Sequence, residues 1–179
     1  MSPLNLAETG IGKPFGGGFL GAILPATGGK SWAVIVSPKA QGEKTNIMWG
    51  IRNFAVSGAR SFTDGFANSE AMNDDLHLPA KFCRSLRIGG KNDWYWPSCG
   101  ELAALWANLG PNHTLAANFA KGAPEAFDLD WYWSSTEIED EPNTAWGQPF
   151  LYRPFGSGVS IREDKYTPAL CRAVRRELI

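Results

Sequence analysis

Glu137, Glu139, Asp140 and Glu141 place four carboxylates within five residues, the one stretch of this chain whose oxygens would gather around a calcium ion. An acidic run of this kind is ordinarily a solvated loop face, so no metal or other cofactor is expected. The three cysteines, Cys83, Cys99 and Cys171, contain no C-x-x-C pair and are odd in number, which reads as reduced thiols rather than a disulfide framework. Cys99 sits just inside a helix start, where the helix field lowers a thiol pKa, yet a buried position beside Ser98 would leave it inert. His77 and His113 lack any H-E-x-x-H spacing and read as surface polar residues. Asp74 with Asp75, and Asp128 with Asp130, have no partner that would split their pKa values into an acid and a base. No catalytic constellation emerges, and the expectation is a protein that is not an enzyme.

Binding is the chemistry that remains. Most of the eight tryptophans read as core: Trp94 and Trp96 share one strand face, as do Trp131 and Trp133. Loop aromatics Tyr152, Phe155 and Tyr166, with Arg153 beside them and with Glu139, Glu141 and Asn143 in the neighbouring acidic loop, are the candidate ligand-binding residues. Arg172, Arg175 and Arg176 close the chain. Strand alternation places Arg172 and Arg176 on one face and Arg175 on the other, so cross-strand pairing with Glu163, Asp164 or Glu177 is expected rather than an anion site.

The elements that must position these residues are read from periodicity. With 179 residues, the chain suits one domain, here a glycine-punctuated N-terminal arm over residues 1–18 and a body over 19–179. Phe19 to Leu24 and Trp32 to Val36 form a hairpin across Gly28-Gly29, followed by a loop from Ser37 to Asn46. The spacing of Phe62, Phe66, Ala67, Glu70 and Ala71 predicts a helix over 61–75, and a short one is expected over 80–86. Ser98-Cys99-Gly100-Glu101 is a capping box, and Leu102, Leu105, Trp106 and Leu109 then fall on one helix face until Gly110-Pro111 stops it. From Trp131 the period is two. Strands are expected at Trp131 to Thr136, Ala145 to Arg153, Val159 to Ile161 and Leu170 to Arg176, with loops at 137–144, 154–158 and 162–168. The order is α+β: an N-terminal hairpin, one to three helices and a late antiparallel sheet.

Composition narrows the partners. Seventeen Lys plus Arg against 18 Asp plus Glu leave no basic face for nucleic acid or an anionic membrane. Residues 1–8 lack the basic and apolar regions of a signal peptide, and no run of about 18 apolar residues offers a membrane insertion.

Gly89-Gly90-Lys91-Asn92-Asp93-Trp94-Tyr95-Trp96-Pro97-Ser98 with Glu101-Leu102 resembles the opening signature of the Legionella collagen-like adhesin C-terminal (Lcl C) domain family. Trp131-Tyr132-Trp133-Ser134-Ser135-Thr136-Glu137, Ala145-Trp146 and Arg172-Ala173-Val174-Arg175-Arg176 resemble its later blocks in the same order. Gly16 through Trp49 is similar to the phage-encoded branch of that family. Two departures stand out: residues 150–158 are longer and more proline-interrupted than the usual hairpin, and Trp96 stands where an aliphatic residue or Arg is common.

The resemblance implies a C-type-lectin-like fold and carries no established catalytic activity. Glu141-Pro142-Asn143 also matches the tripeptide with which mannose-type C-type lectins hold calcium and a hexose, although Ala145-Trp146-Gly147-Gln148 lacks the second carboxylate element of that site. The function expected from the resemblance is a virion surface protein of a bacteriophage, in the tail fibre or tail tip, whose late loops contact a host-surface receptor, glycan or protein. The alternative is a capsid decoration or adaptor protein gripping other virion proteins through its arm. A homo-oligomer is expected, with a trimer the first choice for a virion component.

Overall fold

The computed structural model describes residues 10–151 and 159–179. The chain is α+β, with four helices and two sheets among those residues. In the first sheet, β1 (Pro14–Phe15), β2 (Gly18–Pro25), β3 (Ser31–Val36) and β9 (Val174–Leu178) lie side by side in the order β1-β2-β3-β9. The expected hairpin is β2–β3, running from Phe19↔Val36 to Pro25↔Ser31. Gly28 and Gly29 make its turn at φ 69° and 73°, a left-handed region that side chains disfavour.

The second sheet runs β4 (Glu43–Ile47), β8 (Ala169–Arg172), β5 (Trp131–Glu137), β6 (Thr144–Pro149) and β7 (Ile161–Asp164). Its pairs are antiparallel except β5–β8, which run parallel through Tyr132↔Leu170. The helices are α1 (Lys39–Gly42), α2 (Gly65–Ala71), α3 (Leu78–Ser85) and α4 (Cys99–Leu109).

Alternation along β5, and along the extended segment at Trp94–Trp96, which forms only an isolated bridge Tyr95↔Val174 rather than the expected strand, divides the aromatic residues between two cores. Trp94, Trp96, Trp131 and Trp133 point into one cluster with Ile35, Trp49 and Cys171. Tyr95 and Tyr132, the residues between them, point into the other with Val34, Leu102, Leu105 and Phe127. The expectation that the tryptophan blocks are core therefore holds for all four. α4 caps the second cluster as its sequence requires. Ser98 Oγ accepts from Glu101 N, Glu101 Oε2 accepts from Ser98 N at 2.8 Å, and Leu102, Leu105 and Leu109 are buried.

Several boundaries differ from expectation. The helix expected over 61–75 is confined to Gly65–Ala71, because Ser61 and Asp64 cap it: Ser61 Oγ accepts from Asp64 N, and Asp64 Oδ1 accepts from Ala67 N. The loop expected over 37–46 holds α1 and most of β4. The strand expected at 145–153 ends at Pro149, and the one expected at 159–161 begins at Ile161 and extends to Asp164, into a stretch expected to be loop. Leu170 to Arg176 is not one strand: Ala173 separates β8 from β9, and the two belong to different sheets. Of the expected arm, Pro14–Phe15 pairs with β2 and Asn118 Nδ2 donates to Gly12 O, while residues 1–9 lie outside the described residues.

Candidate functional site

The site is built where β7, the edge strand of the second sheet, meets the acidic loop 138–143 and the long connection from Met48 to Asp64. Two backbone hydrogen bonds, Trp49 N to Lys165 O (2.9 Å) and Glu137 N to Ala59 O (2.7 Å), tie that connection to the sheet. Inside it lies an ion pair: Lys165 Nζ donates to Glu137 Oε1 at 2.6 Å, and both side chains are wholly buried. The same ammonium donates to Phe54 O at 3.0 Å and lies 4.5 Å from the centre of a Trp49 ring. Glu137 Oε2 accepts from Val56 N at 2.8 Å. Burial pushes the Lys165 ammonium pKa down, and the hydrogen bond from Lys165 to Glu137 opposes that shift.

Above this pair the surface groups interlock. Arg52 donates Nε to Asp164 Oδ1 at 3.0 Å and Nη2 to Asp164 Oδ2, a bidentate fork, and its guanidinium lies 4.8 Å from the centre of the Tyr166 ring. The hydrogen bond from Arg52 holds the Asp164 carboxyl below the usual range, so it is an anion and an acceptor at neutral pH. Arg162 Nη1 donates to Glu141 Oε1 at 2.7 Å, and Arg60 Nη1 donates to Glu139 Oε1 at 3.0 Å. Asn143 Oδ1 accepts from Asn53 N at 2.8 Å. Tyr166 and Phe54 remain 44% and 45% exposed, so each presents apolar ring surface beside fixed charge.

Glu139, Glu141, Asn143 and Tyr166 are thus brought to one end of the second sheet. Tyr152, Arg153 and Phe155 lie outside the described residues. The calcium-type oxygens are already engaged: Glu141 Oε2 accepts from Thr144 Oγ1 at 2.8 Å, while its other oxygen takes Arg162. Among the described residues, no three His, Cys, Asp or Glu side chains converge as a metal site. Arg52, Phe54 and Arg60 escaped the sequence reading because residues 50–60 carry no periodic pattern and no motif; an unpatterned connection of that length between core elements was the available signal.

The remaining candidates resolve into packing. His77 is not a surface residue. It is 1% exposed, its Nδ1 is 2.8 Å from Asp74 Oδ1, and its ring meets Trp49 edge-on at 5.5 Å. His113 is exposed, with Nε2 2.9 Å from Trp106 O at the end of α4. Burial raises the Cys99 thiol pKa despite its position at a helix start, so it is not an activated thiol. Arg172 is buried, with Nη2 donating to Ser37 O and to Glu125 Oε2. Arg175 forks onto Asp93 and meets Glu177 two residues along its own strand rather than across strands, Arg176 pairs with Asp64, and the expected partners Asp164 and Glu163 engage Arg52 and Thr167 instead.

The family model of the Lcl C-terminal domain matches residues 40–175. That span covers most of the chain and includes every described element of the candidate site. No curated protein and no solved structure matches the chain.

Proposed function

From its membership of the Lcl C-terminal domain family, an adhesin-like family, we propose that this chain is a non-enzymatic recognition domain whose ligand surface is the end of the second sheet around Arg52, Phe54, Glu141, Arg162 and Tyr166. One observation carries the reading. The exposed rings of Tyr166 and Phe54 stand among side chains joined by mutual ion pairs, beside a buried Lys165–Glu137 pair that ties the connection bearing Phe54 to the sheet. Preorganised aromatic and forked polar groups suit recognition, because little side-chain freedom remains to be lost on binding.

The finer reading places this domain on a bacteriophage particle, in the tail fibre or tail tip, as a homo-oligomer contacting a host-surface glycan or protein. The similarity of Gly16 through Trp49 to phage-encoded members supports it. Gold-labelled antibody on purified particles tests the placement: label at the tail end supports it, whereas label over the head would make this a capsid decoration protein held by other virion proteins. The ligand surface is tested by the double substitution Arg52→Ala/Tyr166→Ala. Adsorption to host cells is expected to fall at least about tenfold with the fold intact; unchanged adsorption would remove the site.

A further inference from the structure

We propose that Cys83 and Cys171 form a cross-linking site, at which oxidation joins their sulfurs in a disulfide that staples α3 to the second sheet. The two residues come from distant parts of the chain and meet by construction of the fold. Along α3 the buried residues are Pro79, Ala80 and Cys83, a three- and four-residue spacing that puts Cys83 on the helix face turned to the sheet. Cys171 stands directly opposite Lys44 in the β4–β8 pair, and residues opposite one another project to the same side of a sheet. The Lys44 ammonium lies 5.5 Å from the centre of the Phe82 ring, so that side is the one α3 covers.

Both cysteines are fully buried in the same core cluster, and the Cys171 thiol is near enough to Cys83 to help raise its pKa. Cys99 is elsewhere: its amide donates to Thr136 Oγ1 at the start of α4, and it belongs to neither core cluster. The pairing is therefore selective among the three thiols.

Burial also sets when the bond forms. The Cys83 thiol pKa is pushed up by desolvation, so the closed structure offers little thiolate to an oxidant. Reaction belongs to folding, or to moments when the eight-residue α3 lifts from the sheet. One cysteine, deprotonated, attacks the disulfide of an oxidised low-molecular-weight thiol such as glutathione disulfide. A mixed disulfide forms and one glutathione thiolate leaves. The second cysteine, losing its proton, attacks the protein sulfur of that mixed disulfide and expels the second glutathione. Two cysteine thiols are oxidised and one glutathione disulfide is reduced to two thiols. The product closes a loop of about 90 residues and constrains the unfolded chain accordingly.

The test refolds the full chain in a glutathione buffer containing both redox forms, and in excess reductant, then denatures it, alkylates with N-ethylmaleimide and measures intact mass. The expected result is one alkylated thiol after oxidative refolding and three after reduction, from the three cysteines of the chain. A non-reducing peptide map should join Cys83 to Cys171, and the oxidised protein should melt about 5–10 °C higher. Cys99→Ser should keep the bond, and Cys83→Ala or Cys171→Ala should abolish it. Should either alanine variant fail to fold, the wild-type map decides. Three alkylated thiols after oxidative refolding, a bond to Cys99, or a glutathione adduct that never resolves would each overturn the proposal. Host adsorption is not read in this experiment, so the cross-link and the recognition surface stand or fall separately.

Discussion

Lys165 and Glu137 meet 2.6 Å apart with no solvent exposure on either side chain, and Arg52, Phe54 and Arg60 of the candidate site lie on the connection they hold. Removing Lys165 leaves the buried Glu137 carboxylate with only the more distant Arg60 Nε, 3.8 Å away, as a cationic partner. Lys165→Met is expected to lower stability by about 3 kcal/mol in urea unfolding. Lys165→Met/Glu137→Gln should recover most of that loss, since glutamine keeps an oxygen for Val56 N while leaving no uncompensated charge. A double variant no more stable than the single one would show that geometry, not charge, is what the pair supplies.

Glu101 gives the chain a titration of known sign. Burial raises its carboxyl pKa, against hydrogen bonds from Tyr95 Oη (2.5 Å) and from the amide and hydroxyl of Ser98. A carboxyl whose folded pKa lies above its unfolded value binds more protons in the folded state between the two values. Its contribution to stability therefore grows as pH falls through the folded pKa. Glu101→Gln removes the titration. Denaturation curves from neutral pH down to the ordinary carboxylate range should show the wild type gaining on the variant as pH falls; a constant difference would mean that the carboxyl titrates normally.

Gly147 is required by contact rather than by backbone angle. A Cβ there would lie 2.3 Å from Trp131 Cζ2 and 2.8 Å from Tyr132 O, between a core ring and a strand carbonyl that have little room to move. Gly147→Ala should cost about 1–3 kcal/mol, measured by thermal or urea unfolding. A neutral effect would mean that the Trp131 ring has a second place to go.

The surface pairs behave differently from the buried one. Arg52 is about half exposed, and its fork onto Asp164 is screened by water. Arg52→Ala should leave the melting temperature close to that of the wild type while Tyr166 loses the cation above its ring. Circular dichroism melts of this variant are therefore the control for any loss of receptor binding. A large drop in melting temperature would mark Arg52 as a structural residue.

Local signals in the sequence marked the elements that fix themselves locally. Ser98 and Glu101 satisfy each other's backbone within one turn, and Gly28-Gly29 turns its own hairpin, so both were legible. The tryptophan blocks were legible as core because alternation alone separates Trp94 and Trp96 from Tyr95. What failed depends on partners distant in sequence. His77 is buried because Trp49 packs against it, and Arg162 to Asp164 is strand because β6 supplies the ladder Thr144↔Asp164 to Gly147↔Ile161. For the site, Glu139, Glu141, Asn143 and Tyr166 could be found as polar or aromatic loop residues. Arg52, which completes them, could not, because its fork depends on Asp164 in a strand 112 positions away.

Ala173 is the single residue between a strand of one sheet and a strand of the other, and its own amide donates to Gly42 O while its carbonyl accepts from Ser37 N. The sheets therefore share a hinge pin with no slack. Release of β8 is expected to pull on β9 and on its five pairs with β3, from Trp32↔Leu178 to Val36↔Val174. A body joined in this way should carry a pull on one sheet into the other and yield as one unit.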